Sequence, residues 1–442
     1  PLWAETVTGI EAQVIERLAL ELAREKTMLC LGWGPQRARF GEQFHFMGYA
    51  LALFLGHIGR PGCGISTHHH YSDGGAALFT GPAIDAVSSL RPAERPHAAS
   101  SVEGMRPIPV ARLADLLAHP GKAIEHNGRT IVYPDIDLIV WAGGNPFSHQ
   151  PNALLLQKGF RRPSAVIVAD THWSAAARHA DIVLPAASSF ERSDITPIGT
   201  CSRMGLAAMH QAINPIGKAR SDFAIFSALA QELGLRQAFD EGLDEEGWIR
   251  RFYACAQQLC SASLPDFDDF WREGVVLSEP RNPDPAASFW RRFAQDQARD
   301  PLPTQSGKIE LSSARLAALG CSDVPPHPAY LACDLPDARH YPLTLLSIKS
   351  AQRLHSQLAP AALARSSERV LEPCRLHPQD AAVRGIGSGD EVVVFNSLGR
   401  VLARALVTSE VRQGVVVLEH GAWFDPDPED ETLDRGSAAN VL

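Results

Sequence analysis

Three segments of the sequence carry polar side chains and glycines directly after an apolar run, at residues 32–37, 143–150 and 170–173. In the second segment, Gly143 and Gly144 would allow a phosphate group to approach the backbone closely. The side chains of Asn145 and His149 can donate hydrogen bonds to the same ligand. Asp170 can accept two parallel hydrogen bonds, which suits the donor edge of guanine or a ribose diol. These residue types therefore predict a site for an anionic, nucleotide-like ligand.

Each of these segments also has an ordinary structural explanation. A Gly-Gly-Asn-Pro sequence is a common turn, and an aspartate after a strand often caps a helix or forms a turn. An NAD site is the rival binding site, but the G-x-G-x-x-G fingerprint follows none of the candidate strands. The ligand site is favoured because the segments follow successive strands, whose carboxyl ends meet at one edge of a parallel sheet.

Other residues that could do chemistry do not form a recognisable centre. The adjacent residues His68, His69 and His70 resemble a metal cluster, but neighbours on one backbone rarely converge on one ion. The eight cysteines form no C-x-x-C pair, which argues against a zinc or iron–sulfur site. No G-x-S-x-G nucleophile motif is present. Residues 347–358 are dense in hydrogen-bond donors, which indicates either a binding loop or a solvated loop.

The elements that would position these residues are those of an α/β fold. Short apolar runs at 138–141, 165–169 and 182–184 alternate with helical patterns, which is typical of Rossmann-like parallel sheets flanked by helices. A strand at 27–31, followed by a helix from 42 to about 55, predicts a related α/β unit earlier in the chain.

The pattern changes in the last quarter of the chain. Runs at 392–396, 400–407 and 415–419 are separated by glycine and polar turns and alternate like antiparallel strands, so we expect a C-terminal β-barrel. The acidic run at 425–431 is predicted to be a solvated loop. Between 236 and 333 the pattern is weak and indicates two helices.

Composition and charge exclude several classes of protein. A chain of 442 residues with 45% hydrophobic and 21% charged residues is globular and long enough for two or three domains. Its formal net charge of −9 argues against a nucleic-acid coat or a polybasic membrane anchor. No apolar stretch reaches the roughly 18 residues of a membrane-spanning helix. We therefore expect neither nucleic acid nor a membrane span, and either the periplasm or the cytoplasm fits.

Several short blocks follow one another along the chain: GWGPQR at 32–37, HYSDGG at 70–75, GGNPFSH at 143–149, DTHW at 170–173, SGKIE at 306–310, RLHSQ at 353–357 and LHPQDA at 376–381. In these blocks, and in their order, the chain resembles the dimethyl sulfoxide / trimethylamine N-oxide / biotin sulfoxide reductase branch of the molybdopterin oxidoreductase family. The resemblance extends over almost the whole chain. It departs from the family at Asp73, where relatives often carry Asn, and at Lys349, where some carry His.

The resemblance implies a cofactor, a reaction and partners. The cofactor is Mo-bis(molybdopterin guanine dinucleotide), a molybdenum ion held by two pterins that each carry a guanosine diphosphate tail. The reaction is the two-electron removal of an oxygen atom from an S-oxide or N-oxide, such as biotin sulfoxide, methionine sulfoxide, dimethyl sulfoxide or trimethylamine N-oxide. The partners are that small molecule and an electron-donor protein, and the full-length protein would be a monomer.

The resemblance also implies which positions hold the cofactor. Trp33 and Arg37, with Gly32 beside them, would contact one dinucleotide. Residues in the loops of the second α/β domain would form the guanosine site: Gly144, Asn145, His149, Asp170, Thr171 and Asp222. Residues of the C-terminal domain would face a pterin: Ser347, His355, Ser356 and Asn440.

The resemblance places no catalytic or metal-ligating residue in this chain. The family's metal-ligating serine and its substrate-facing aromatic residues belong to an amino-terminal part, and we expect the chain to be a fragment that lacks this part and the extreme C-terminus. We expect four segments: 1–95, part of a first α/β cofactor-binding domain; 96–235, a second α/β domain that binds the guanosine dinucleotide; 236–333, a connecting helical segment; and 334–442, the β-barrel that binds the pterin dinucleotide.

A hypothesis from a different class is a non-catalytic nucleotide-binding or assembly module. In that case the loops at Asn145 and Asp170 would hold guanine or another nucleotide without any metal chemistry.

Overall fold

The computed structural model describes residues 1–35, 38–66, 108–126, 129–198, 204–259, 263–277, 289–333, 337–358 and 371–442. The chain clusters into two compact units. The first unit comprises Pro1–Leu90, Ile195–Met209 and Ile249–Asp334, and the second comprises Arg91–Asp194, His210–Trp248 and Leu335–Leu442. The division into four segments stays a prediction.

Helices and strands alternate through most of the described chain. The helices are α1 (Leu2–Thr8), α2 (Ala12–Arg24), α3 (Glu42–Phe54), α4 (Leu113–Ala118), α5 (Pro146–His149), α6 (Ala153–Phe160), α7 (Ala175–Arg178), α8 (Asp222–Glu232), α9 (Arg236–Asp240), α10 (Glu245–Leu259), α11 (Phe267–Glu273), α12 (Phe289–Gln295), α13 (Ala314–Ala317) and α14 (Pro378–Ala382). The strands are β1 (Met28–Cys30), β2 (Gly64–Ser66), β3 (Ala123–His126), β4 (Arg129–Val132), β5 (Leu138–Ala142), β6 (Ala165–Asp170), β7 (Ile182–Pro185), β8 (Asp194–Ile198), β9 (Gly205–Met209), β10 (Val275–Leu277), β11 (Thr344–Lys349), β12 (Pro373–Leu376), β13 (Glu391–Phe395), β14 (Arg400–Val407), β15 (Val415–His420) and β16 (Leu433–Asp434).

The first unit contains a parallel strand pair and an antiparallel sheet. Strands β1 and β2 pair in parallel, and α3 lies between them in the chain, as the sequence predicts. A Cβ atom added at Gly48 on α3 would lie 2.2 Å from Leu31 Cδ1, so a glycine at this position lets the helix lie close to Leu31. Strands β8, β9 and β10 form a three-stranded sheet in which β9 and β10 are antiparallel. The sheet lies beside a core in which the rings of Tyr253 and Phe270 stack 4.5 Å apart.

The expectation of two helices between 236 and 333 is wrong. Among the described residues of this stretch, the structure has five helices, α9 to α13, and the strand β10. Of these helices, α9, α11, α12 and α13 contain seven residues or fewer. Such short helices complete at most two turns, so the apolar spacing that identifies a helix in sequence cannot repeat often enough to be recognised.

The second unit contains the parallel sheet that the sequence predicts. Strand β6 lies between β5 and β7 and pairs in parallel with both. The fully buried side chains of Val166 and Val168 on β6 pack against Phe147 and Leu156. The close contact of α6 with α4 depends on Gly159, because a Cβ atom added there would lie 2.7 Å from the Cβ of Leu117.

The C-terminal part of the second unit is one mixed sheet. Its strand order is β11-β15-β12-β14-β13, with β16 paired to β14. Strands β13 and β14 are antiparallel, as expected, but β11 pairs with β15, and β12 with β14, in parallel. The three strands β13, β14 and β15 do alternate in direction, because β12 is parallel to β14 and antiparallel to β15. The parallel pairings involve β11 and β12, whose directions the sequence did not predict, and β12 contains only four residues.

Closure of this sheet into a barrel is not found among the residues that the structure describes. The pairing runs as an open path with β11 and β13 at its ends.

The parallel sheet and the C-terminal sheet of the second unit share one hydrophobic core. Phe147 and Leu156 from the parallel sheet side belong to the same buried cluster as Val401, Leu418 and Phe424.

In the described part of the chain, no helix has the length and apolarity needed to cross a membrane.

The carboxylate of Asp115 connects α4 to the hairpin of β3 and β4 through hydrogen bonds. Its Oδ2 accepts a 2.9 Å hydrogen bond from the buried Tyr133 hydroxyl, and its Oδ1 accepts a 2.8 Å bond from Lys122 Nζ. Burial opposes ionisation of Asp115, but the hydrogen bonds from Lys122 and Tyr133 outweigh it and lower its pKa. The ionised carboxylate is therefore the form that stabilises the fold.

We predict that Asp115→Asn lowers the free energy of unfolding by about 1–3 kcal/mol at pH 7. Because the folded pKa is lowered, this stabilisation is present above the unfolded pKa and is lost as pH falls through the folded pKa. The difference between wild type and variant should therefore shrink in acid, as urea unfolding at pH 7 and below pH 4 would measure. Asp135→Asn, at a side chain 77% exposed, is the control. A difference that is the same at both pH values would contradict the prediction.

Candidate functional site

The carboxyl ends of the parallel strands in the second unit lie at one edge of the sheet. Because β5, β6 and β7 run in parallel, the loops that follow them open on the same side. A parallel bridge between Ala186 and Arg220 adds the segment just before Asp222 to this edge. The loops after β5 and β6 and the start of α8 are therefore neighbours, as the sequence predicts.

The loop after β5 is shaped by two consecutive glycines. Gly143 and Gly144 have φ angles of 70° and 74°, a left-handed conformation that is costly for residues with a side chain. A Cβ atom at Gly143 would meet no atom within 4 Å, and one at Gly144 would have its nearest contact at 3.9 Å, with His149 Cε1. The backbone of this turn is therefore open to a ligand. His149 itself is exposed at the end of α5.

Asn145 is buried beside this open turn, with 5% of its surface exposed. Its Nδ2 donates a 3.0 Å hydrogen bond to Ser148 Oγ. Its Oδ1 is buried and has no hydrogen-bond partner within the described structure. An unpaired buried acceptor costs about 1–3 kcal/mol, so the atom is suited to accept a hydrogen bond from a bound ligand.

Asp170 at the end of β6 organises its own turn. Its Oδ1 accepts hydrogen bonds from the backbone N–H groups of Thr171 at 2.7 Å and His172 at 3.3 Å, and its Oδ2 accepts one from Ser174 Oγ at 2.6 Å. A carboxylate has about four acceptor positions, so three local bonds leave about one for a ligand. Asp170 therefore forms a turn, which is one of the two roles that its sequence position allows. To make two hydrogen bonds to the edge of a ligand, its carboxylate would have to give up one of the bonds within this turn.

The two other predicted residues of this edge are exposed. Thr171 lies in the turn after β6, where its Oγ1 is 2.7 Å from His172 Nδ1. Asp222 is the first residue of α8, directly after Ser221, whose Oγ accepts the N–H of Ala224 at 3.0 Å. Both side chains are accessible to a ligand at the sheet edge.

The strand ends of the C-terminal sheet form a second polar edge. Ser347 is exposed on β11, and the parallel strands β11 and β15 end at Lys349 and His420. The turn at 354–357 brings the His355 ring 5.8 Å from the His420 ring. Burial, and then the charge of His355, lower the pKa of His420. Ser356 is buried, and its carbonyl accepts a 2.7 Å hydrogen bond from Trp423 Nε1.

Partly buried ion pairs support this second edge. Arg353 pairs with Glu372, and its other nitrogen donates a 3.2 Å hydrogen bond to the carbonyl of His420. Arg375 pairs with Glu419 at 3.0 Å. Burial opposes ionisation of Glu419, but hydrogen bonds from Ser350 and Arg375 outweigh it and lower its pKa. Both arginines thereby fix the ends of the strands that they contact.

Residues 421–425, which we call the joining segment, connect the two edges. The carbonyl of Ala422 accepts a 3.5 Å hydrogen bond from Ser148 Oγ, on the loop that carries Asn145. Trp423 binds the carbonyl of Ser356, as above, and the Phe424 ring stacks on Phe147 at 5.4 Å. Sequence reasoning missed this segment. The signal that could have found it is a Gly at the end of a strand followed by two adjacent aromatic residues.

Asn440, near the C-terminal end of the described chain, also contacts α5. Its Nδ2 donates 2.7 Å hydrogen bonds to the carbonyls of Phe147 and Gln150. Both amide hydrogens are therefore used to hold α5, and the predicted contact of Asn440 with a pterin ring remains a prediction. The structure thus brings Asn145, Ser356 and Asn440 together through a short chain of protein contacts.

The remaining predicted residues belong elsewhere. Gly32 and Trp33 follow β1 in the first unit, where Trp33 is 41% exposed and a Cβ atom at Gly32 would meet nothing within 4 Å. Arg37 and the run at 68–70 lie outside the described residues. Across the described ranges, no group of three or more His, Cys, Asp or Glu side chains could hold a metal ion.

We predict that Gly421→Ala destabilises the second edge. Gly421 has a φ of 94°, and a Cβ atom there would lie 2.0 Å from the carbonyl oxygen of His355. The backbone strain costs about 1–2 kcal/mol and the clash about 1–3 kcal/mol. Gly414→Ala is a matched control, since Gly414 has a φ of 84° but nothing within 4 Å of the added atom. Thermal unfolding should show a larger loss for Gly421→Ala, and equal losses would disprove the close approach.

Comparisons with known proteins agree with the sequence resemblance. The dimethyl sulfoxide/trimethylamine N-oxide reductase of Cereibacter sphaeroides is 41% identical over all of this chain, which covers 54% of that protein. The biotin sulfoxide reductase of the same organism is 40% identical over 99% of this chain and 59% of its own length. Trimethylamine-N-oxide reductase 1 of Escherichia coli is 38% identical over the whole chain and 53% of its own length. The chain spans about half the length of the curated relatives it matches.

The solved structure of acetylene hydratase from Pelobacter acetylenicus has a similar fold, with a TM-score of 0.57 and 20% identity over 81% of this chain and 46% of that chain. The Molydopterin dinucleotide binding domain model matches residues 343–442. The Molybdopterin oxidoreductase model matches residues 4–232, just over half of the sequence. The chain therefore belongs to the molybdopterin oxidoreductase family.

Proposed function

We propose that this chain is the cofactor-binding part of a molybdenum-dependent reductase that removes an oxygen atom from an S-oxide or N-oxide. The observation that carries the proposal is the 41% identity to a dimethyl sulfoxide/trimethylamine N-oxide reductase, which extends over the whole chain and so includes both polar edges. Relatives of similar identity are named for trimethylamine N-oxide and biotin sulfoxide. These comparisons support the enzyme hypothesis and not the non-catalytic module.

The residues of the second unit fit a pterin dinucleotide. The left-handed turn at Gly143 and Gly144 leaves backbone open to a phosphate, and the buried Asn145 Oδ1 lacks a donor within the described structure. We propose that the cofactor is the bis(molybdopterin guanine dinucleotide) form. Its guanosine would be held by the residues of the first edge: Gly144, Asn145, His149, Asp170, Thr171 and Asp222. Its pterin would face the residues of the second edge and the C-terminal turn: Ser347, His355, Ser356 and Asn440.

The bound molybdenum would supply the two-electron chemistry, and the chain's own residues would orient the cofactor. Asn145 Oδ1 and the remaining acceptor position of Asp170 suit N–H donors of a purine. The buried rings of Phe147 and Phe424 exclude water from the inner side of the loop that carries Asn145. Hydrogen bonds between this loop and a ligand would be stronger because little water is near them. Closure of the C-terminal sheet into a barrel, an electron-donor protein, a monomeric state and a periplasmic or cytoplasmic location belong to the same proposal.

The proposed function is tested with the full-length gene product. Purified protein should contain molybdenum and release GMP on acid hydrolysis, with about two GMP for each metal ion. With a reduced viologen dye as electron donor, it should reduce at least one of dimethyl sulfoxide, trimethylamine N-oxide, biotin sulfoxide and methionine sulfoxide. Protein that is folded but contains neither molybdenum nor GMP would refute the proposal.

We predict that Asn145→Ala weakens cofactor retention. Removing the buried acceptor should cost about 1–3 kcal/mol, which corresponds to roughly 5- to 150-fold weaker binding. The measurement is the molybdenum and GMP content that remains after dialysis of the full-length protein. Asn214→Ala, at an exposed asparagine of the same unit, is the control and should retain the cofactor. Equal content in the two variants would show that Asn145 makes no contact.

A further inference from the structure

Asp434 is a buried carboxylate that is not among the residues predicted to contact the cofactor. Its side chain is fully buried. Its Oδ1 accepts a 2.7 Å hydrogen bond from the backbone N–H of Asp425, and its Oδ2 accepts a 2.7 Å bond from the backbone N–H of Ala438. One carboxylate thereby links two segments that are otherwise separated along the chain.

The first of these bonds fixes the end of the joining segment. Asp425 follows Phe424, whose ring stacks on Phe147 and whose carbonyl accepts a 2.8 Å bond from Arg178. The chain next to Asp434 packs tightly here, since a Cβ atom at Gly436 would lie 1.9 Å from the carbonyl oxygen of Trp423. The position of the joining segment against α5 therefore depends on the Asp434 junction.

The second bond fixes the C-terminal turn. Ala438 directly precedes the 3-10 turn Ala439–Val441, which carries Asn440. Asn440 donates to the carbonyls of Phe147 and Gln150. Asp434 thus supports α5 through two sets of contacts. The first is the stacking of Phe424 on Phe147, and the second is the pair of hydrogen bonds from Asn440 to the carbonyls of Phe147 and Gln150.

The chemistry of the junction requires an acceptor on both sides. A neutral acid or an amide would turn a donor toward one of the two N–H groups, and an apolar residue would leave both unpaired. Burial raises the pKa of Asp434 to about 7, against the hydrogen bonds from Asp425 and Ala438, which lower it. The carboxylate of Asp425 lies beside this junction and pairs with the guanidinium of Arg435 at 3.5 Å and with that of Arg178 at 3.2 Å. Arg435 also pairs with Asp427 at 3.7 Å.

We propose that Asp434 is a positioning residue for the cofactor site. Its carboxylate aligns the joining segment and Asn440 against α5, and so holds the loop that carries Asn145. The inference rests on the proposed function, because the ligand of that loop is the cofactor of the proposed reductase.

The first test measures cofactor release from the full-length holoenzyme. Asp434→Asn should lose molybdenum and GMP roughly tenfold faster than wild type during dialysis. The control is Ile131→Ala. Ile131 is a buried residue of β4, which pairs with β3 in a sheet separate from those that carry the two edges, so the variant should lower Tm without faster release. Release from Asp434→Asn no faster than from the control would overturn the proposal. If Asp434→Asn does not fold, Asp434→Ser, which keeps one acceptor, replaces it.

The second test is a double-mutant cycle with Asn440→Ala. If Asp434 acts through Asn440, the double variant should release the cofactor about as fast as the faster single variant, because the two residues hold the same loop. Rate increases that multiply would mean that Asp434 does not act through Asn440, and would overturn that part of the proposal.

A third measurement separates this inference from the proposed function. In cofactor-free protein, amide hydrogen exchange at 146–150 should be faster in Asp434→Asn than in wild type and unchanged in Ile131→Ala. Wild type without molybdenum or GMP would refute the proposed function alone. Unchanged exchange in Asp434→Asn would refute the positioning role alone.

Discussion

The packing of Phe147 against Phe424 is the contact on which the rest of the second unit depends. Both side chains are fully buried, and their rings are nearly parallel, with an interplanar angle of 4°. Phe147 lies on α5, shortly after strand β5 of the parallel sheet, and Phe424 lies in the joining segment, shortly after strand β15 of the C-terminal sheet. Because aromatic rings of this size bury large apolar areas, the contact fastens the two sheets together. The polar residues above it are thereby held in one place.

A third ring completes this contact. His179 stacks on Phe147 at 4.6 Å, and its Nδ1 lies 2.7 Å from the carbonyl of Ala175. Burial lowers the pKa of His179, which keeps the imidazole neutral inside the stack. The site is thus supported by a layer of uncharged aromatic rings, while its charged side chains, among them Asp170, Arg353 and Arg375, lie at the strand ends. This separation lets the polar edge face a ligand without disturbing the core.

The sequence predicts the strands well and their assembly poorly. The runs at 138–141, 165–169 and 182–184 correspond to β5, β6 and β7 within one residue at each end, because short apolar strands of a buried sheet have a clear local pattern. The mixed order of the C-terminal sheet has no such pattern, since it depends on where the short strand β12 is inserted.

The same limit applies to the site. Asn145 and Asp170 could be found because a glycine turn or a strand end marks them locally. The joining segment carries only a weak local signal, and its partners Ser148 and Phe147 lie at least 274 residues away in the sequence. Asp434 has no motif that marks it as buried. Asp170 shows a further limit. Its residue type and position predict an acceptor correctly, but not that three of its hydrogen bonds are made within its own turn.

The site is built from the two ends of a long stretch of chain. The hydrogen bond from Asn440 to Phe147 spans 293 residues, and that from Ser148 to Ala422 spans 274. Contacts between such distant residues form late, because a large loop must close before they are made. While the chain is being synthesised, the turn at Gly143 and Gly144 emerges long before the residues that brace it. The site can therefore acquire its shape only once translation has passed Asn440, so its ligand must bind after both segments have been synthesised.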